Sequence, residues 1–133
     1  MADQKPDEKI PVKKFKNSDE ASEFVAKEIA LLIRKTQSEK KKCVLGLATG
    51  STPTAVYAAL VKMHQQESLS FNNVFTFNLD EYYPMRPDSL QSYVRFMREH
   101  LFDHIDIPEK NINIPNGTVS REKVGILKQQ LGL

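Results

Sequence analysis

The stretch Cys43–Tyr57, CVLGLATGSTPTAVY, constrains this chain more than any other. Cys43, Val44, Leu45 and Leu47 form a short apolar run, of the kind a parallel strand needs when helices cover both its faces. Thr49, Gly50, Ser51 and Thr52 then bring a glycine and three hydroxyls together. Pro53 follows where a helix opens and its missing N–H costs nothing. A strand passing through such a bend into a helix leaves N–H groups and hydroxyls converging on the positive end of the helix dipole, which suits a phosphate. No lysine follows the glycine, so the nucleotide P-loop pattern fails, and Gly46 with Gly50 does not make the dinucleotide fingerprint. What remains is a smaller phosphorylated ligand or, on pattern alone, an ordinary capped helix start.

Upstream, residues 1–9 read as a loose terminus and Ile10–Phe15 as a short strand that Pro11 confines to its beginning or to a sheet edge. Ser18 is a good N-cap, and Ala21, Val25, Ile29, Leu32 and Ile33 recur at helical spacing until the region 34–42. Downstream, a helix is expected from Pro53 to about Gln66 on the stripe Val56, Leu60, Met63, with His64 at its margin and no chemistry assigned to it. Val74–Leu79 alternates as a strand does, and Asp80, Glu81 and Tyr82 stand at its C-terminal end, the edge of an open parallel sheet where ligands bind. The PMRPDS segment then reads as a binding loop. Leu90, Val94, Met97 and Leu101 predict a third helix over about 89–104. His100 and His104 have the spacing of two ligands on one helical face, but no third ligand follows, so they read as surface histidines. A last strand is expected over Ile112–Ile114, and a fourth helix capped by Ser120 carries Val124, Leu127 and Leu131.

Four short strands interleaved with helices imply right-handed crossovers and a doubly wound, mostly parallel α/β sheet with helices on both faces. At 133 residues this is one domain or a domain fragment. Four strands are few for such a sheet, and an unpaired edge calls for more chain or for a partner; a homo-oligomer stays open. Hydrophobic residues make up 40%, but no apolar segment approaches the ~20 residues a membrane span needs, and the polar MADQKPDEK start has no signal-peptide core. A cytoplasmic protein with no membrane partner is expected. The basic surplus sits before residue 43, densest at Lys40, Lys41 and Lys42. No aromatic residues interleave with these lysines, so a solvated helix end is favoured over a nucleic-acid surface. The single cysteine, Cys43, reads as a small core residue.

Four segments, LGLATGSTPTAVY from Leu45, LSFNNVFTFNLDEYY from Leu69, SYVRFM from Ser92 and LFDHIDIPEKNINIPNG from Leu101, resemble the glucosamine-6-phosphate deaminase (isomerase) family in order and spacing. The resemblance covers most of residues 43–117 and fades beyond Gly117. It implies a Rossmann-like α/β domain and the conversion of glucosamine 6-phosphate and water to fructose 6-phosphate and ammonia, with no metal and no organic cofactor. Thr49, Gly50, Ser51 and Thr52 would hold the sugar phosphate. Asp80 would be the catalytic carboxylate that moves a proton at C2, and Glu81, Tyr82 and Tyr93 would line the sugar site. In the family, ring opening uses a histidine and acidic partners from a later glycine-rich strand and loop, which have no counterpart in residues 118–133. The expectation is therefore an N-terminal part whose activity belongs to a longer chain. The DEYYPMRPDS loop also departs from the glycine-containing loop of typical deaminases. Two other readings share the scaffold: a non-catalytic phosphosugar sensor, and the related sugar-phosphate lactone hydrolases, which share the turn but not NLDEY.

Overall fold

A computed structural model describes residues 9–132, so the N-terminal stretch expected to be loose lies outside the described residues except for Lys9. The core of the fold is a three-stranded, all-parallel sheet in the order β1 (Cys43–Leu47), β2 (Val74–Asn78), β3 (Ile112–Asn113). The helices are α1 (Ser18–Ser38), α2 (Thr54–Glu67), α3 (Tyr93–His100) and α4 (Arg121–Leu131). The parallel, helix-linked layer expected from the sequence is thus present.

Helices α1, α2 and α3 lie over one face of the sheet. Their Ala26, Ala30, Ile33, Tyr57, Leu60, Met63 and Met97 join Cys43 and Val74 in a single core. Cys43 is buried there, and burial pushes its thiol pKa up against a weaker hydrogen bond with Thr36, as a structural cysteine requires. The other face is open among the described residues: Val44 is 61% exposed and Phe77 is 49% exposed. Helices on both faces were expected; among the described residues α1, α2 and α3 cover one of them.

Several local expectations are corrected. Within Ile10–Phe15 only Lys13 forms a bridge, because Pro11 offers no donor and the segment is held by side chains instead. Phe15 packs 5.2 Å from Phe24, and the Lys13 ammonium lies 4.2 Å from the same ring. Helix α1 is capped by Asn17, whose Oδ1 accepts from the Glu20 amide at 2.9 Å, rather than by Ser18. Its buried side is Ala26, Ala30 and Ile33, while Val25 and Leu32 stay exposed. The helix is apolar on more than one side, and the small alanines allow the closer approach to α2. The third helix is shorter than predicted: Ser92 caps it and Leu90 is 79% exposed. His104 falls in a separate 3-10 turn, so the two histidines do not share an α-helical face. In α4, Ser120 Oγ accepts from the Lys123 amide at 3.1 Å as predicted, and Leu131 is exposed; the Val124 and Leu127 side chains lie outside the described set. Among the described residues no helix is long and apolar enough to cross a membrane.

Candidate functional site

The parallel register decides where the two sequence-predicted clusters meet. Leu47 pairs with Asn78, so Thr49 and Asp80 each leave the sheet two residues beyond the same rung, at its C-terminal edge. Neighbouring strands lie about 4.8 Å apart, which puts the glycine-hydroxyl bend and the acid side by side. Asn78 strengthens this junction by donating from Nδ2 to the Leu47 carbonyl at 3.2 Å. The Lys40–Lys42 run enters β1 at the opposite edge.

Tyr57 of α2 holds the bend from below. Its hydroxyl donates to the Ala48 carbonyl and accepts from the Ala48 amide at 3.1 Å, while the ring is 2% exposed. Burial pushes the Tyr57 phenol pKa up, opposed by the bond to Ala48. Gly50 sits at φ +98, a conformation costly to any residue with a Cβ, although a Cβ there would meet no neighbouring atom. Thr54 Oγ1 donates to the Ser51 carbonyl at 2.7 Å and closes the turn into α2. Pro53 is the N-cap rather than the first helical residue, so α2 begins one residue later than expected, and it makes no side-chain cap. No acceptor among the described residues takes up the amides of Gly50, Ser51 and Thr52, so all three remain available to an anion.

Tyr93, the first residue of α3, packs beside the residues that follow the acid. Its ring lies 4.9 Å from that of Tyr82. A hydrogen bond with the Tyr82 hydroxyl raises its phenol pKa most, followed by lost solvation and the negative fields of Tyr82 and Asp80, against an opposing hydrogen bond with Thr49. Asp80 itself is exposed.

Glu81, expected to line the sugar site, has both carboxylate oxygens engaged within the chain. Its Oε1 accepts from the Tyr82 amide at 2.9 Å and the Tyr93 amide at 2.9 Å; its Oε2 accepts from Ser92 Oγ at 2.7 Å and the Val94 amide at 3.2 Å. Burial pushes its pKa up, but these donors outweigh it and hold the carboxyl below its ordinary value. The loop after it is braced by Gly117, whose carbonyl accepts from the Met85 amide at 2.8 Å.

The histidines make structural contacts. His64 Nδ1 lies 2.6 Å from the Leu69 carbonyl, His104 Nε2 lies 2.8 Å from the Glu99 carbonyl, and His100 lies 4.3 Å from the Phe96 ring. Among the described residues no group of three or more His, Cys, Asp or Glu side chains is placed to hold a metal ion. Tyr57, Ser92 and Gly117 were assigned no site role from the sequence. Ser92 followed by a helical apolar stripe was the one local sign available; the other two act through residues distant in the chain.

The family model for glucosamine-6-phosphate isomerases/6-phosphogluconolactonase matches residues 16–130. A glucosamine-6-phosphate isomerase of Candida albicans is 48% identical over 103 residues, covering 77% of this chain and 40% of that protein. A glucosamine-6-phosphate deaminase of Thermoanaerobacter is 47% identical over 95 residues, covering 71% of this chain and 38% of that protein. The chain therefore spans about two fifths of the length of these curated relatives. Among solved structures, a monomeric glucosamine-6-phosphate deaminase matches with a TM-score of 0.74 and 36% identity, over 89% of this chain and 49% of that one. With a matching family model and concordant relatives in both sequence and fold, this chain belongs to the glucosamine-6-phosphate isomerase/6-phosphogluconolactonase family.

Proposed function

We propose that this chain supplies the phosphate turn and the proton-moving carboxylate of an aminosugar-phosphate isomerase and deaminase, acting on glucosamine 6-phosphate, with ring opening carried by polypeptide outside these residues. In this reading the amides and hydroxyls of Thr49–Thr52 grip the phosphate and hold the sugar over the strand ends, a remote anchor that converts binding into orientation. Asp80 takes the proton from C2 of the opened sugar and returns it at C1; water then replaces the amine at C2, which leaves as ammonia. Proton transfer next to a carbonyl needs a base within hydrogen-bond reach, and an exposed carboxylate beside the phosphate anchor can provide it.

The observation that carries the reading is the parallel register, in which Leu47 pairs with Asn78 so that the bend at Thr49–Thr52 and the acid Asp80 leave the sheet at the same edge. NLDEY at the strand end favours the deaminase branch of the family over the lactone-hydrolysing one. The test is ammonia release from glucosamine 6-phosphate by a protein containing this segment. Asp80→Asn is expected to lower kcat by about 10²–10⁴-fold, the usual contribution of a general base, while phosphosugar binding persists. Undiminished turnover in that variant would remove Asp80 from the mechanism.

A further inference from the structure

Asn116 is the one asparagine of this chain that is followed by glycine. It stands in the turn after β3 and is exposed. Its Oδ1 accepts from the Thr118 amide at 2.9 Å and from Thr118 Oγ1 at 2.6 Å, while its Nδ2 has no partner among the described residues. The next amide, that of Gly117, is also unbonded among the described residues. Asn73, Asn78 and Asn113 differ on both counts. Each donates from Nδ2 to an acceptor elsewhere in the chain, and each is followed by a bulky aliphatic residue that keeps the next amide from close approach.

From this arrangement we infer that Asn116, with Gly117, is a site of spontaneous deamidation in the folded protein, and that its isoaspartyl product releases the loop carrying Tyr82. The Gly117 nitrogen attacks Asn116 Cγ as its proton passes to solvent, and the negative charge that develops on Oδ1 falls where two Thr118 donors already point. The bond from Cγ to Nδ2 breaks, ammonia leaves, and a five-membered succinimide closes. Water then opens the ring. Attack at Cγ gives aspartate, and attack at the main-chain carbonyl gives isoaspartate. Water is the only co-reactant, nothing is oxidised or reduced, and either product adds a negative charge. The two products fit the fold differently. Aspartate keeps the oxygen that Thr118 holds. Isoaspartate lengthens the backbone by a carbon directly before Gly117, which is buried, and where a Cβ would already lie 2.6 Å from the Tyr82 carbonyl oxygen and 2.7 Å from that of Met85. So close-packed a site has no room for the extra atom, and the Gly117 carbonyl withdraws from the Met85 amide that it holds at 2.8 Å. The loop after Asp80 and Glu81 then loses its brace. None of these steps needs a substrate, so they stand apart from the function proposed above.

The experiment keeps the full chain folded in mildly alkaline buffer and samples it over days, beside the same chain held unfolded in urea. Peptide mass spectrometry reads the exchange of amide for carboxyl at each asparagine, and an isoaspartyl methyltransferase reads the isoaspartyl share. In the folded chain Asn116 should convert while Asn73, Asn78 and Asn113 stay amides. Thr118→Val, which removes the Oγ1 donor, should slow that conversion by about two- to tenfold, the worth of one hydrogen bond. As isoaspartate accumulates the urea midpoint should fall, and the loop over residues 83–89 should open to protease. Asn116→Gln, which closes a ring only slowly, should keep its midpoint through the same incubation, and fresh Asn116→Asp should match fresh wild type. An Asn116 amide retained in the folded chain but lost in urea would overturn the inference. So would a Thr118→Val chain that converts as fast as wild type, or isoaspartate that leaves the midpoint unmoved. A low midpoint in fresh Asn116→Asp would assign the loss to charge instead of backbone length, and overturn it equally.

Discussion

At the residue scale, the site depends on close backbone contacts that a single added methyl can disturb. A Cβ built on Gly117 would lie 2.6 Å from the Tyr82 carbonyl oxygen and 2.7 Å from that of Met85, and neither is a flexible side-chain end. Gly117→Ala should therefore push the loop carrying Tyr82 outward and destabilise the fold by about 1–3 kcal/mol, read as a lower urea midpoint. Gly46→Ala is the control, since a Cβ there meets nothing within 4 Å. Tyr57 makes a different contribution, because its hydroxyl satisfies both polar groups of Ala48. Tyr57→Phe should cost about 1 kcal/mol and weaken inorganic phosphate binding at the adjoining bend, measurable by calorimetry.

At the element scale, the connection after α2 and the segment after α3 are joined through Asp106. Its carboxylate accepts from Ser70 Oγ at 2.6 Å and from the Phe71 amide at 2.6 Å, and lies 3.7 Å from His64. Burial works against the charge, but the Ser70 and Phe71 donors and the His64 ring outweigh it and hold the carboxyl below the ordinary value of 3.8. A carboxyl that holds its proton less tightly when folded than when unfolded adds stability above its unfolded pKa. That stability is lost as pH falls through the folded value. Thermal midpoints recorded from neutral pH down to about pH 2 should drop steeply below about pH 4, and Asp106→Asn should flatten that part of the profile. A profile unchanged by the substitution would show that other carboxylates dominate acid unfolding. Arg98 provides a second such tie, reaching from α3 to Glu109 ahead of β3.

At the scale of the whole molecule, the uncovered sheet face sets the chain's behaviour in solution. All-parallel sheets are found almost only with both faces covered, yet here Val44, Phe77 and Leu79 are exposed. The isolated chain should bind a hydrophobic dye. Phe77→Lys should reduce that binding while shifting stability by no more than about 0.5 kcal/mol, as for a surface position. A large destabilisation would mean that the face is covered in solution.

What the sequence determined by itself was local. The apolar runs of β1 and β2, the glycine-hydroxyl bend at Thr49–Thr52 and the acid at the end of β2 were legible because strand alternation and turn chemistry act over a few neighbouring residues. The family likeness was legible through the same short segments. The tertiary structure decided what depends on distant partners. It chose Ala26 and Ala30 over Val25 and Leu32 as the buried side of α1, because α2 accepts the flatter surface. It tied the Glu81 carboxylate to the start of α3, through three donors that lie more than ten residues further along the chain. Through the register of two parallel strands, it brought residue 49 and residue 80 to one edge of the sheet. Periodicity reports which residues prefer to be buried, whereas contacts across the fold decide against what they are buried, and that pairing exists only once the chain has closed.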